Sequence, residues 1–342
     1  MKNKINYGMV SFLQFSLAIL VILFHCSRIF ESDAIHFIQT NLFGRMAVPF
    51  FVVCSSFFIY LKTESNPNYQ RNYIKRYIKM YLLWSIIFLP YGLAFFQSLS
   101  LPLYTLPIML FAAIFYIGMC YHLWYLPAFL TGFYLVERAK EKFLFKYILL
   151  ISFILYLIGS IETYSAYLEN TRILSIYLDY SAIFYTSRNG LFFMPIFIST
   201  GYLLYAYRNH PFLNHYTFSK LLFSFLLLLS EGWFVFRNQG IDKNFLIMLI
   251  PFTFFLFNWA IRTDIFRNKS FNSLKDLSTM YFFLHPIFIE MSRRVPSNLL
   301  FNSISIEWFE VIFTLVSTHV VAVLILYLRK LSISKAYEKE IV

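Results

Sequence analysis

Apolar runs recur along the whole chain, each about as long as the 17–25 residues that an α-helix needs to cross the hydrocarbon core of a bilayer. Only 13% of the 342 residues are charged, whereas a soluble domain carries roughly a quarter. The runs also lack the polar–apolar alternation of barrel strands. The sequence therefore predicts an all-α, polytopic membrane protein with no sizeable soluble part.

We predict about ten transmembrane helices in a single domain covering residues 1–342. One segment, 103–119, is apolar enough to cross the membrane. We place it flat or re-entrant on the outer side, because the basic run 138–146 then falls on the inner side. The predicted spans are 8–27, 46–61, 79–97, 122–137, 146–160, 189–207, 220–236, 244–261, 277–292 and 308–328.

Positive charge is distributed unequally between the two sides of this topology. Of the 29 lysines and arginines, 21 fall in inner segments, including Lys2 and Lys4 before the first span. The positive-inside rule then places both termini in the cytoplasm. No small-residue cleavage site follows the first apolar run, so we read it as a retained helix. The eight outer cations are Arg28, Arg45, Arg172, Arg188, Arg237, Lys243, Arg293 and Arg294.

The cysteines give no sign of a disulfide framework or a metal site. Cys26, Cys54 and Cys120 are an odd number, and no Cys/His pattern has metal-ligand spacing. All three fall in or beside apolar segments. We predict small buried side chains and no metal cofactor.

Several ionisable residues lie at the outer ends of predicted spans. Such groups are costly at membrane depth and usually line a polar cavity, although they also form an interfacial fringe of snorkelling side chains. We favour the fringe for Arg293 and Arg294, and function for His25 and Arg188. Candidates at or near the same level are Arg28, Arg45, His122 and His285.

Two further polar residues lie within apolar runs. Gln14 precedes His25 by eleven residues, about three helical turns, so both lie on one helix face roughly 16 Å apart. Glu231 is an isolated acid, which we interpret either as a structural partner of a neighbouring arginine or as a cavity residue.

A basic cluster occurs before the third span. Lys75, Arg76 and Lys79 fall within about one helical turn at the predicted cytoplasmic face. They are suited to hold the phosphates of a cytosolic donor. Ordinary positive-inside charge explains them equally well.

Six short motifs occur in an order that resembles the acyltransferase 3 family of membrane proteins. They extend over most of the chain, from the first span to the ninth. Each is weak alone, and the ordered set is fairly specific. They are QFSLAILVILFH (14–25), RMAVPFFVVCSS (45–56), KRYIK (75–79), HLWYLP (122–127), SRNGLFF (187–193) and YFFLHP (281–286).

The resemblance implies a ten-helix enzyme in the cytoplasmic (inner) membrane of a bacterium. It implies transfer of an acyl group, usually acetyl, from cytoplasmic acyl-CoA to a hydroxyl of an extracytoplasmic or lipid-linked glycan. The expected partners are therefore membrane lipid and the glycan acceptor, and no nucleic acid. The rival function is a transporter or flippase of a lipid-linked sugar, which uses the same polar cavity without covalent chemistry.

The resemblance also implies roles for individual residues. His25 matches the family's essential histidine, as general base or transient acyl carrier. Arg76 and Lys79 match the donor-side basic pair, and Lys79 stands where the family usually has arginine. Gln14 replaces a usual Arg or Lys, which weakens an anion-binding role there. Matches to recurrent motif positions with less settled roles are Arg45, His122, Arg188 and His285.

Overall fold

The computed structural model describes residues 5–295 and 305–341, with side chains as far as residue 332. Lys2 and Lys4, which contribute to the predicted inner charge, lie outside this part. Within it the chain is helical and contains no strand. The fifteen α-helices, numbered α1 to α15, are Tyr7–His25, Asp33–Phe37, Gly44–Ser65, Tyr69–Ile87, Leu89–Ser98, Leu106–Ala112, Tyr125–Lys140, Phe145–Gly159, Arg172–Phe184, Met194–Ala206, Pro211–Asn214, Thr217–Arg237, Leu249–Ala260, Asn272–Arg293 and Ile306–Ile341.

The chain divides into two compact units. The first comprises Met1–Ala47 and Ala260–Val342, and the second comprises Val48–Trp259. In the first unit α14 packs against both α1 and α15. Asn6 begins α1: its side-chain oxygen accepts the Met9 N–H at 2.9 Å, and its amide donates to the carbonyls of Thr263 and Ile265 at 2.7 Å. This buried asparagine therefore fixes the start of α1 to the chain just before α14.

In the second unit α10 packs against α7 and α8. A polar cluster around Glu137 joins the ends of several helices. Its carboxylate accepts hydrogen bonds from Tyr60 at 2.8 Å, from Gln70 at 2.9 Å and from Lys140 at 2.9 Å. The Lys140 ammonium also lies 4.2 Å from the ring centres of Tyr60 and Tyr202. The last turns of α3, α7 and α10 and the first turn of α4 consequently meet at one end.

A helix lies within each of the ten predicted spans, but the number ten is not confirmed. Among the described residues, five helical stretches are long and apolar enough to cross a membrane: α1, α12, Asp33–Ser65, Phe145–Glu162 (α8 with the turn that follows it) and the first part of α15. Helices α10 and α13 have only 13 and 12 residues, about 20 Å at 1.5 Å per residue. A hydrocarbon core is about 30 Å thick, so neither spans it alone as a straight helix.

The predicted span 79–97 is a broken helix. Helices α4 and α5 meet at a bend of 55° and count as a sixth span if the pair crosses together. Pro90, in the first turn of α5, lacks an N–H and clashes with a helical carbonyl four residues earlier. The following segment, Leu103–Ile117, is a short apolar helix, and its placement flat or re-entrant stays a prediction.

The three cysteines agree with the sequence prediction. Cys26, Cys54 and Cys120 are all buried and unbridged. Within the described residues, no group of three or more His, Cys, Asp or Glu side chains is placed to hold a metal ion.

Candidate functional site

Two of the predicted histidines lie together in the first unit. Helix α1 ends at His25, and its imidazole stacks on that of His285 from α14, with ring centres 5.4 Å apart and planes 20° apart. His285 is fully buried, and its Nδ1 lies 2.9 Å from the Tyr281 carbonyl oxygen. If Nδ1 carries the proton of a neutral ring, Nε2 is left as the basic nitrogen. His25 itself is only half-buried.

The end of α1 is fixed by a buried acid. Glu310 of α15 accepts the Ser27 N–H at 3.0 Å and the Ser27 hydroxyl at 2.7 Å. It also pairs with Arg293 at 3.1 Å, and the same guanidinium donates to the His25 carbonyl at 3.3 Å. Arg293 therefore has a structural partner, which the fringe interpretation did not anticipate. These contacts hold the backbone of the candidate catalytic histidine.

Arg45 lies close to the same histidine. Its guanidinium is 4.7 Å from the ring centre of Phe24, and that ring meets the His25 imidazole edge-on at 4.6 Å. Gly44 allows this approach, because a Cβ there would lie 2.7 Å from the Phe24 ring. Gln14 lies half-buried on α1, eleven residues before His25, as its position in the sequence requires. The first unit thus brings Arg45, His25 and His285 into one cluster.

In the second unit, the SRNGLFF motif is organised around a buried acid that the sequence analysis did not select. Glu162 is 2% exposed. Its Oε2 accepts the hydroxyls of Tyr177 and Ser187, each at 2.7 Å, and its Oε1 accepts the Asn244 amide at 2.9 Å. Asn244 in turn accepts the Arg188 guanidinium at 3.1 Å. Glu162 therefore holds Ser187 directly and Arg188 through Asn244.

Arg188 is held on a second side by an aromatic ring. Its guanidinium carbon lies 4.6 Å from the ring centre of Trp124, a cation–π contact. Burial lowers the pKa of the Arg188 guanidinium, while Asp242 and Glu162 raise it. Arginine side chains are not deprotonated in proteins at neutral pH. The arrangement presents a fixed positive charge.

The last two residues of the SRNG sequence shape the loop. Asn189 accepts the N–H groups of Leu191 and Phe192 at 2.9 and 3.1 Å, and donates to the Tyr116 hydroxyl at 2.9 Å. Gly190 lies against α7, where a Cβ would be 2.7 Å from the Ala128 carbonyl oxygen. Because these bonds form a turn, the helix predicted from residue 189 begins only at Met194.

Two other predicted site residues lie elsewhere in this unit. His122 is 2% exposed, and its ring meets that of Phe88 edge-on at 4.9 Å. Glu231 accepts hydrogen bonds from the Tyr164 hydroxyl and from the Ile247 and Met248 N–H groups, the latter two at 2.6 and 2.8 Å. Its partner is therefore not a neighbouring arginine in the described chain. It fixes the non-helical stretch that leads into α13.

The basic cluster lies on a surface groove. Lys75, Arg76 and Lys79 are all exposed on α4. Together with Asn66, Tyr69 and Asn72 they line an open depression of about 470 Å³. None of the described residues that line it is acidic. Three cations without a carboxylate suit an anionic ligand with several phosphates.

Comparison with known families agrees with this set of features. The sequence matches the acyltransferase domain of the acyltransferase 3 family over residues 10–327. The chain belongs to the acyltransferase 3 family. This membership agrees with the motif order and supports acyl transfer by a membrane protein. No solved structure matches it.

Curated relatives of this family member carry racemase names. An amino-acid racemase of Enterococcus faecalis is 29% identical over 287 residues, which is 81% of this chain and 38% of that protein. A serine/alanine racemase of Enterococcus gallinarum is 29% identical over 282 residues, 79% of this chain and 39% of that protein. The chain thus spans about two fifths of the length of these relatives.

The residues that support the family motifs were not selected from sequence. Glu162 and Glu310 lie at the outer ends of predicted spans, at the same level as the candidate arginines and histidines. A search for acids at that level would have found both. Asn244 gives no such signal, because only the fold brings it between Glu162 and Arg188.

Proposed function

We propose that this protein transfers an acetyl group from cytoplasmic acetyl-CoA to a hydroxyl of a cell-surface glycan. It acts in the cytoplasmic membrane of a bacterium, with ten spans and both termini inside. Family membership supports acyl transfer. The donor and the acceptor are inferred from the two units described above.

Contacts between helix ends support the topology. The cluster around Glu137 joins ends of α3, α4, α7 and α10 that the proposal places inside. The cluster around Glu162 joins Ser187 and Asn244, both in segments that the proposal places at the outer surface. In the first unit, Ser27, Arg293 and Glu310 likewise meet at proposed outer ends. Among the side-chain hydrogen bonds of residues 5–295 and 305–332, none of these clusters joins a proposed inner end to an outer one.

The observation that carries the donor assignment is the acid-free groove of Lys75, Arg76 and Lys79. Coenzyme A has several phosphate groups, which exposed lysine and arginine side chains bind as point charges or forks. In the proposed topology this groove faces the cytoplasm, where acyl-CoA is found. The basic cluster is then a binding site as well as a topology signal.

Neutralising the groove is expected to weaken donor binding without slowing the chemical step. We expect Arg76→Gln and Lys79→Gln each to raise KM for acetyl-CoA about 2- to 5-fold, since exposed ion pairs contribute about 0.2–1 kcal/mol. The kcat at saturating donor should stay unchanged. Initial rates in membrane vesicles over a range of acetyl-CoA concentrations measure both constants.

The matched control for this groove is Lys142→Gln, which removes an exposed lysine that does not line it. Its KM should equal that of the wild type. The difference between groove variants and wild type should shrink at high ionic strength, because salt screens exposed charges. Equal KM values for Arg76→Gln, Lys79→Gln and Lys142→Gln would exclude the groove as the donor site.

We assign His25 as the general base for the acceptor hydroxyl, or as a transient carrier of the acetyl group. Its ring is held at the end of α1 beside His285 and is only half-buried, so it is open to a reactant. Arg45, near His25 through Phe24, is a candidate for stabilising the oxyanion. Arg188 and His122 remain candidates for holding the acceptor.

The decisive test of the function uses labelled acetyl-CoA. Membrane vesicles that contain the protein and a cell-envelope glycan should incorporate the acetyl label into the glycan. Vesicles without the protein should not. Movement of the glycan carrier across the membrane without any labelling would instead identify a transporter and reject the acyltransferase proposal for this chain.

A further inference from the structure

The second unit contains an apolar cavity that the donor groove and the histidine cluster leave unused. It has a volume of about 190 Å³. Its apolar wall is formed by Phe95 and Phe96 of α5 and by Leu110 and Ala113 in the 106–117 segment. Gly118, with φ of +84°, turns the chain sharply before Trp124, which completes the wall. A left-handed backbone of this kind favours glycine.

One end of this cavity carries a positive charge. Among the described residues that line it, Arg188 alone is formally charged. Tyr121, Trp124 and Thr186 are its neighbours in the lining, and Trp124 lies directly under the guanidinium. A site with an extensive hydrocarbon wall and a single cation fits a ligand with a hydrocarbon chain and an anionic group.

The hydrogen bonding of Arg188 also indicates a missing acceptor. Its Nη1 is bound to Asn244, but its buried Nε–H has no acceptor among the described residues. Among the described residues, no carboxylate oxygen lies within 4.0 Å of a guanidinium nitrogen of Arg188, the distance of an ion pair. Asp242 and Glu162 are nevertheless near enough to raise its pKa. A buried donor without a partner calls for an explanation. An oxygen atom of a phosphate bound at the guanidinium edge supplies one.

The helix that walls the cavity is exposed on its other side. Ile108, Phe111 and Phe115 are 70, 65 and 61% exposed. In a membrane protein such side chains face lipid rather than water. The cavity therefore lies beneath a lipid-facing helix, where a hydrocarbon chain can enter without crossing water.

We propose that this cavity binds the first part of the hydrocarbon chain of a lipid phosphate that carries the acceptor sugar, with Arg188 holding the phosphate. This inference rests on the proposed function and makes it more specific, because it selects a lipid-linked glycan over a free one. An acetyl group has two carbon atoms and needs no cavity of this size. A free glycan, in turn, has no use for the apolar wall.

The test measures binding of tritiated farnesyl phosphate to the full chain in phosphatidylcholine nanodiscs, with empty nanodiscs subtracted. Wild-type protein should bind farnesyl phosphate saturably and at least about tenfold more tightly than farnesol, which lacks the anion. Arg188→Gln should weaken binding of farnesyl phosphate by a similar factor. Arg188→Lys should fall between, because lysine keeps the charge but lacks the fork.

The apolar wall is tested by filling the cavity. Ala113→Trp places a large ring in it and should weaken farnesyl phosphate binding at least about tenfold. The matched control is Phe111→Trp, which introduces the same residue on the lipid-facing side of the same helix. The comparison of farnesyl phosphate with farnesol on wild-type protein needs no variant and decides the anion requirement even if Ala113→Trp misfolds.

Equal binding of farnesol and farnesyl phosphate, or unchanged binding by a folded Ala113→Trp, would overturn the assignment. Failure of this inference differs from failure of the proposed function. If the protein acetylates a water-soluble glycan but does not bind farnesyl phosphate, the lipid site is wrong and the function stands. If it binds farnesyl phosphate through Arg188 but consumes no acetyl-CoA, the site stands and the function is wrong.

Discussion

Replacing His25 by alanine should lower the rate of acetyl transfer by about 10²- to 10⁴-fold, the range expected when a positioned general base is removed. The effect should appear in kcat, because the imidazole acts on the acceptor hydroxyl and lies on a different helix from the donor groove. His25→Gln should be equally inactive, since an amide hydrogen-bonds but does not accept a proton at neutral pH. Incorporation of labelled acetyl into glycan measures the rate.

Removal of the His25 side chain should leave the end of α1 intact. The backbone at the end of α1 is held by Glu310 through Ser27 and by Arg293 through the His25 carbonyl. None of these bonds uses the imidazole, so truncation of the side chain leaves them in place. The unfolding temperature of His25→Ala in detergent should therefore stay close to that of the wild type.

His215→Ala is the matched control. His215 is an exposed histidine of the second unit and lies far along the chain from His25 and from the donor groove on α4. It should transfer acetyl at the wild-type rate. Wild-type activity of His25→Ala would reject the assignment. The two roles of His25 are distinguished by incubating the protein with labelled acetyl-CoA in the absence of acceptor. Covalent labelling of the wild type but not of His25→Ala would select the acyl-carrier role over the base role.

The helices could be predicted from sequence because a bilayer demands long apolar runs. The predicted boundaries are wrong where a polar side chain or a proline interrupts such a run. Asn189 caps a turn and delays α10 to Met194, and Pro90 breaks the span that was drawn continuous. Each interruption depends on a local contact or ring clash that hydropathy averages out.

The candidate site was predicted in its cations and histidines but not in the acids that hold them. His25 and Arg188 could be selected because an ionisable group at the end of an apolar run is costly unless it is used. Their supports, Glu310 and Glu162, are reached from α15 and from the end of α8, 285 and 26 positions away along the chain. Nothing local in the sequence pairs them. Only the packing of helix ends does so.

Glu231 shows the reverse case. An acid within an apolar run has the same sequence signature as a site residue. In the structure its carboxylate is occupied by two backbone N–H groups and the Tyr164 hydroxyl. The chain between α12 and α13 is not helical there, so its amides need an acceptor. A structural requirement of the backbone thus produced a pattern that resembles a functional one.

The second large effect is expected at Glu162. Glu162→Ala should lower the free energy of unfolding by on the order of 3 kcal/mol, because two buried donors lose their acceptor, at about 1–3 kcal/mol each, and a third keeps only the Gly159 carbonyl oxygen at 3.1 Å. The donors are Tyr177, Ser187 and Asn244. Thermal unfolding of the purified protein in detergent detects this loss. Glu169→Ala, which removes an exposed acid from the same predicted outer loop, should unfold like the wild type.

Glu162→Gln separates the structural effect from the positioning of Arg188. The amide keeps the size of the side chain and one carbonyl oxygen, which can still accept the Tyr177 and Ser187 hydroxyls. Its NH₂ group then faces the Asn244 amide, so that hydrogen bond is lost. We expect a folded protein of reduced stability in which Asn244 no longer holds Arg188 in one place. The affinity for farnesyl phosphate should then fall, while KM for acetyl-CoA, which reports the separate groove on α4, should not change.

A loss of affinity for farnesyl phosphate without a change in KM for acetyl-CoA distinguishes a positioning residue from a merely structural one. A general loss of packing in the second unit would weaken the binding of both ligands, because the α4 groove belongs to the same unit as Glu162. Loss of the Glu162–Asn244–Arg188 chain alone affects the anion bound by Arg188. If Glu162→Gln binds acetyl-CoA and farnesyl phosphate more weakly by the same factor, this acid only stabilises the fold.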